Sequence, residues 1–283
     1  MGTLHIDDGF NTPVATDNIQ KLCSSLNIEL ITIRLDEEQY NDLIRSYVFA
    51  GVPNLAAPQD NILLASLYKY AKMYRIKYFL SGGNFALESI LQRGNTHSTL
   101  DLINLKDIHK RFGELQINKL DFLTENKRII DRFVYGIKTA QPLNYIDYNR
   151  EIAIQDLKTF CDFNYYGGKH LENALTKFLQ IYWLYHKFGV DKRKSHLSSL
   201  IISGQMTRDE ALLEMKKPIY NTEEMEKDLL FVLNKLKISK SDFDKIMDKK
   251  GCQHSEYRTS GNNFLNIMRK SSFFNKIKKR LQP

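Results

Sequence analysis

Three stretches between residues 165 and 218 decide how the chain is interpreted: YYGGKHLE (165–172), KFGVDKRKSHLSSL (187–200) and SGQMTRDE (203–210). Two glycines in the first stretch open a helix that the apolar spacing predicts from Lys169 to Lys187. Free backbone N–H groups, the positive end of a helix and a lysine together favour an anion. Directly before another predicted helix, the second stretch adds a cationic cluster: Lys192, Arg193 and Lys194. We therefore expect one anionic ligand to lie between the two regions.

The composition favours a globular protein with anionic partners. The 283 residues are 42% hydrophobic and 26% charged, as in an ordinary globular domain, and the formal net charge is +8. This charge favours nucleotides, nucleotide sugars, nucleic acid or an acidic membrane face, and does not choose among them. The three cysteines are widely spaced, which fits a reduced compartment. Neither a long apolar run nor a signal peptide occurs, so we expect a cytoplasmic protein without a transmembrane segment.

Strands and helices alternate up to about residue 113. The pattern predicts strands at residues 3–6, 29–34 and 77–80, with helices between them. Such alternation predicts a parallel sheet whose ligands lie beyond the C-terminal ends of its strands. After residue 150 the pattern is helical. We therefore expect three regions: an α/β domain over residues 1–113, a connecting segment over 114–150, and a helical region that binds substrate or phosphate over 151–283.

Two turns follow predicted strands at that edge of the sheet. Asp7-Asp8-Gly9, taken alone, is either an ordinary turn or a contact for ribose, adenine or Mg²⁺. Ser81-Gly82-Gly83-Asn84 is either a tight strand-to-helix turn or a backbone contact for a ligand. It is not a Walker loop, because the pattern G-x-x-x-x-G-K-[ST] is absent.

The long motif over residues 167–212 resembles a known family. Written as GGKHxE…TKF…KFGxDKRKxHLSSLIxSGQxTRxEAL, it resembles the C-terminal half of the WbpG-like N-acetyl sugar amidotransferases of surface-polysaccharide (lipopolysaccharide, O-antigen) biosynthesis, in the PP-loop ATP pyrophosphatase superfamily. The resemblance implies an α/β fold: a parallel-sheet PP-loop domain of the adenine nucleotide alpha hydrolase-like (Rossmann-like) type, N-terminally truncated, with a helical C-terminal region. It also implies ATP and Mg²⁺ as cofactors, a nucleotide-sugar substrate, and a separate glutaminase subunit that supplies ammonia. Nucleic acid is not an expected partner.

The motifs and the resemblance together assign roles to individual residues. Lys169 and His170 are the expected catalytic residues, through charge neutralisation and proton transfer. The residues expected to bind the nucleotide are Asp7, Asp8, Gly9, Ser81, Gly82, Gly83 and Asn84. The residues expected to bind substrate or phosphate are Glu88, Gly167, Gly168, Lys177, Lys192, Arg193, Lys194 and Arg208.

One departure from the family pattern leaves the activity open. The family's pyrophosphate-binding loop, SGGxDS, is absent, since Phe85 and Ala86 stand where the turn after Ser81 would need Asp and Ser. We expect that loop upstream of Thr3, so the chain is a fragment, has a start assigned too late, or is a degenerate paralogue. A sheet without its central strand would also expose apolar edges. Two alternatives to an active enzyme stay open: an inactive module that binds sugar or glutaminase, and a PP-loop tRNA-modifying enzyme, suggested by the charge.

Overall fold

The architecture is mixed α/β and mostly helical. A computed structural model describes residues 2–92, 94–169 and 171–260. The strands are β1 (Gly2–Asp7), β2 (Glu29–Arg34), β3 (Tyr78–Leu80) and β4 (Lys138–Ala140). The α-helices are α1 (Pro13–Ser25), α2 (Glu37–Ala50), α3 (Ala57–Met73), α4 (Phe85–Glu88), α5 (Leu102–Phe112), α6 (Glu125–Phe133), α7 (Arg150–Cys161), α8 (Ala174–Lys177), α9 (Leu184–Phe188), α10 (Arg193–Ile202), α11 (Arg208–Lys216), α12 (Thr222–Lys235) and α13 (Lys240–Asp248). A π-helical segment, Phe178–Trp183, joins α8 to α9, and 3₁₀ turns occupy Pro142–Asn144 and His254–Glu256.

The strands form two separate parallel pairs. β1 pairs with β2 from Gly2 opposite Glu29 to Asp7 opposite Arg34, and β3 pairs with β4 over three residues. The predicted parallel pairing is confirmed, whereas the single continuous sheet is not found within the described residues. The pair β3–β4 packs on α3, where the rings of Tyr68 and Phe79 lie 5.2 Å apart. From residue 151 to residue 260, leaving out residue 170, the described chain has helices and no strand, as predicted.

Helix caps follow the sequence closely at several places. The Thr12 hydroxyl accepts the Ala15 N–H at 3.2 Å at the start of α1. A full capping box formed by Thr207 and Glu210 begins α11, and Ser239 caps α13. The sequence predicts the caps at Thr12 and Thr207, and either Ser239 or Ser241 for α13, because hydroxyl side chains satisfy the free N–H groups of a first helical turn.

The helix predicted from Lys169 begins later than expected. Asn173 is the N-cap, its side chain accepting the Thr176 N–H at 3.1 Å, and α8 starts at Ala174. The prediction was wrong because an Asn cap four residues further on fixes the first turn, so that the two glycines lie in the preceding loop. The predicted C-terminal end is close to the observed one, since α9 ends at Phe188.

The largest hydrophobic core spans both sides of the predicted connecting segment. It contains residues from Phe10 to Ile246, with large fully buried side chains from α2, α5, α12 and α13. Trp183 is fully buried, and its indole N–H donates to the Val52 carbonyl at 2.9 Å. The loop after β1 and the C-terminal helices therefore share one core, which fixes the position of the cavity described below.

The role predicted for His170 falls outside the described residues, and so does a basic amphipathic helix that the sequence pattern predicts over residues 264–281. Across the described ranges, no helix is both long enough and apolar enough to cross a membrane.

Candidate functional site

A cavity of about 450 Å³ lies at the C-terminal ends of β1 and β2. Asp8 and Leu35, which directly follow these strands, both line it, so it occupies the edge that the α/β pattern predicts for ligands. The polar side chains in its wall include Asp8, Asn11, Gln59, Asp60, Glu172, Asn173 and Lys192. The apolar part includes Ile62, Leu63, Leu179 and Leu184. Such a mixed wall suits a ligand that carries both polar and apolar surface.

Asp8 organises the wall of this cavity. Its carboxylate is buried and accepts hydrogen bonds from the Phe10 N–H at 2.9 Å and the Gln59 amide at 2.6 Å. The Tyr40 hydroxyl donates to it at 3.3 Å, and the Asn173 amide lies 3.2 Å from both oxygens. Burial beside this carboxylate raises the pKa of Tyr40 well above its ordinary value. With both oxygens engaged, Asp8 orients its neighbours in the wall.

Residues around Asn173 are joined to the loop after β1. The Thr12 N–H donates to the Glu172 carbonyl and the Ala174 N–H donates to the Phe10 carbonyl, both at 2.8 Å. Asn11 and Asn173 form an isolated antiparallel bridge. The start of the C-terminal helices is thereby fixed to the end of β1, and both contribute to the same cavity.

Lys192 of the predicted cationic cluster lines the cavity, and Lys169 of the glycine-containing stretch lies near Lys192. Lys192 lies at the N-cap position of α10, and burial, followed by the charge of Lys169, lowers the pKa of Lys192. Lys169 forms an ion pair with Glu88 of α4 at 2.7 Å. Just after α4, the Ile90 N–H donates to the Ser199 hydroxyl of α10 at 3.1 Å. The glycine turn before α4 and the cationic cluster therefore belong to one region.

The remaining predicted cations do not line the cavity. Arg193 is held by Asp191 at 2.8 Å and by the Lys217 carbonyl at 2.9 Å. Lys177 pairs with Asp228 of α12 at 2.6 Å. Lys194 and Arg208 are exposed. The sequence pattern favours Ser195 as the cap of this helix, whereas α10 starts at Arg193, whose N–H donates to the Asp191 carboxylate at 2.9 Å.

The predicted nucleotide-binding turns have clear structural roles. The Asp7 carboxylate accepts the Gly9 N–H at 3.0 Å. Gly9 has φ of +77° and faces the Lys235 ammonium, which a Cβ would approach to 2.5 Å. In the second turn the Ser81 hydroxyl accepts the Gly83 N–H at 3.1 Å, and the Asn84 side chain caps α4. Gly82 and Gly83 are outside the cavity wall.

The loop before Asn173 contains Gly167 and Gly168, the two glycines of the stretch over residues 165–172. Gly167 has φ of +90° and open space around its Cβ position, whereas a Cβ on Gly168 would meet the Leu171 side chain at 2.8 Å. The positive φ explains a glycine at residue 167, since other residues rarely adopt it. Lys169 follows these glycines in the loop, where it forms the ion pair with Glu88.

Within the described ranges, no group of three or more His, Cys, Asp or Glu side chains is arranged to hold a metal ion. The described residues therefore do not form a carboxylate cage for Mg²⁺.

Sequence reasoning missed Tyr40, Gln59 and Asn173. The Asn173 cap carried a signal, since Asn before an apolar helical pattern is a preferred N-cap. The role of Gln59 had none, because only the fold brings its amide to Asp8.

Comparison with known proteins gives one assignment. No curated protein matches the chain. Residues 172–272 match the family described as "LPS biosynthesis protein WbpG-like, C-terminal domain". The match begins at Glu172, in the segment that joins the loop after β1. This match agrees with the resemblance stated from the sequence: residues 172–272 are similar to the C-terminal domain of WbpG-like LPS biosynthesis proteins.

Proposed function

We propose that the chain binds a nucleotide sugar in the cavity between Asp8 and Lys192 and takes part in ATP-dependent amidotransfer in surface-polysaccharide biosynthesis. The observation that carries this proposal is a half-buried lysine in a cavity whose wall also contains amide, carboxylate, hydroxyl and aliphatic groups. A phosphate would contact Lys192, with Lys169 nearby, and amide groups such as that of Gln59 would contact hydroxyl groups of a sugar. The WbpG-like domain supports the biosynthetic context.

The proposed reaction replaces an acetamido oxygen by nitrogen. The oxygen attacks the α-phosphate of ATP and pyrophosphate leaves; ammonia then displaces AMP, so that an acetamidino group remains on the sugar. The residues of this chain would act by positioning the sugar and neutralising phosphate charge. We propose that ammonia comes from a separate glutaminase, and that Mg²⁺ arrives with the phosphates of ATP, as is usual for this ion.

Two measurements test the proposal in sequence. Titration calorimetry with UDP-N-acetylglucosamine, UDP and UMP measures binding, and we expect the nucleotide sugar to bind more tightly than UMP. AMP release is then measured with ATP, Mg²⁺, an ammonium salt and a panel of UDP-N-acetyl sugars. Binding without AMP release would favour the alternative of a catalytically inactive binding module. Absence of binding by all three nucleotides would contradict the assignment of the cavity.

A further inference from the structure

The surface around β3 and β4 combines exposed apolar side chains with unpaired positive charge. Two chain segments form it, residues 73–78 at the end of α3 and residues 130–138 at the end of α6. They are joined by the Lys77 ammonium, which donates to the Tyr135 carbonyl at 2.6 Å, and by the Lys138 N–H, which donates to the Lys77 carbonyl at 2.8 Å. We call this surface the basic–apolar face.

The apolar side chains of this face are large and open to solvent. Phe133 is 78% exposed and Val134 is 72% exposed. Six other exposed apolar residues belong to the same face: Met73, Tyr74, Ile76, Tyr78, Ile130 and Tyr135. Exposed apolar side chains concentrated in one place indicate an interaction surface, whereas single ones do not.

The charges of the face have one sign. Arg75, Lys77, Arg132 and Lys138 are exposed. The acidic residue within residues 73–78 and 130–138 is Asp131, which is 1% exposed and paired with Lys72 at 2.8 Å. No carboxylate in these two segments therefore neutralises the face from outside.

We propose that the basic–apolar face docks on a bilayer that contains anionic lipids. Basic side chains around exposed aromatic and aliphatic groups are the pattern of proteins that lie on a membrane without crossing it, because the cations attract lipid phosphates and the apolar groups enter the interface. Aliphatic side chains such as Ile76 and Val134 gain from contact with acyl chains, and tyrosines such as Tyr74 and Tyr135 suit the boundary between acyl chains and headgroups.

Co-sedimentation of the full chain with vesicles tests this proposal. We expect binding to phosphatidylcholine vesicles that contain phosphatidylglycerol, little binding to phosphatidylcholine alone, and loss of binding at high salt. The double variant Arg75→Gln/Arg132→Gln should bind about 25-fold more weakly, from about fivefold for each cation. Phe133→Ser/Val134→Ser should bind at least about tenfold more weakly, because the Phe133 ring and the Val134 methyl groups are lost from the interface.

Matched variants elsewhere serve as controls. Leu212→Ser/Leu213→Ser removes an adjacent exposed apolar pair from α11, and Lys216→Gln/Lys227→Gln removes two exposed cations outside the face. The apolar control should leave binding unchanged, and the charge control should weaken it less than the variant of the face. The proposal is overturned if the chain does not bind the anionic vesicles, or if the controls lose as much affinity as the variants of the face. Self-association or RNA binding through Phe133 and Val134, without vesicle binding, would overturn it as well.

Discussion

Replacing Lys192 with methionine removes one cation from the cavity and preserves most of the side-chain volume. If a ligand phosphate contacts the Lys192 ammonium, the variant loses a charge-assisted hydrogen bond of about 1.5–3 kcal/mol, or about 10- to 150-fold in Kd. The matched control is Lys194→Met, two residues on in the same basic run and exposed. Exposed charges contribute at most about 1 kcal/mol, so we expect a loss below about fivefold.

The same substitution should change stability in the opposite direction. Burial and the nearby Lys169 lower the pKa of Lys192 from 10.5, so the folded protein resists the charged form of this side chain. Removing the charge should therefore raise the free energy of unfolding of Lys192→Met, whereas Lys194→Met should leave it nearly unchanged. Greater stability together with weaker binding is typical of a residue kept for function.

Calorimetry with UDP-N-acetylglucosamine at fixed ionic strength measures the binding, and urea unfolding measures the stability. Equal losses of affinity in the two methionine variants would show that the cavity is not the anion site. Affinity should also decline with rising pH at a pH below 10.5, because a lowered folded-state pKa makes Lys192 release its proton earlier than a free lysine. An affinity that stays constant up to 10.5 would contradict the contact with Lys192.

Three other predictions concern groups in and around this site. Asn173→Ala should lower the free energy of unfolding by about 3 kcal/mol, because it removes a helix cap and leaves the buried Asp8 carboxylate with fewer hydrogen-bond donors. The control Asn221→Ala removes only an exposed cap and should lower it by about 1 kcal/mol. Similar losses for the two variants in urea unfolding would refute this prediction. Burial lowers the pKa of His254 to about 3, so this side chain takes up a proton in the unfolded chain before it does so in the folded protein as the pH falls. The wild type should therefore lose about 1 kcal/mol more stability than His254→Asn between about pH 7.5 and 5.5. Parallel pH profiles of stability for the two proteins would argue against this prediction. Glu88→Gln should tighten anion binding severalfold by releasing Lys169 from its carboxylate partner, and weaker binding in calorimetry would instead assign Glu88 to the ligand contacts.

Local signals in the sequence predicted the individual helices and strands better than they predicted how these elements pair and pack. Thr12 followed by Pro13 predicted the start of α1, and the spacing of Thr207 and Glu210 predicted the start of α11. These signals succeed because the partner groups lie within one helical turn. The pairing of β3 with β4 was not predicted, since a strand of three residues carries too little pattern.

The site was also predicted only in part, because local sequence signals identify residues that are close in sequence and not partners that only the fold brings together. Lys169 and Lys192 were chosen from their local sequence, and the fold brings their charges close enough to interact. Arg193 had the same local pattern, yet its guanidinium is occupied by Asp191, two residues away. Distant partners such as Gln59 and Asp8 cannot be inferred from spacing, because 51 residues separate them.

The π-helical segment between α8 and α9 affects which side chains of this helix face the interior and which border the cavity. A π turn holds about one residue more than an α turn, which rotates everything after it by about 100°. The helix can therefore turn Phe178 and Trp183 toward the interior while Leu179, Gln180 and Leu184 border the cavity. Deleting a single residue there would restore regular winding and rotate the chain after it by about 100°, which would turn Leu184 away from the cavity, so the shape of the cavity depends on chain length at this point as much as on residue identity.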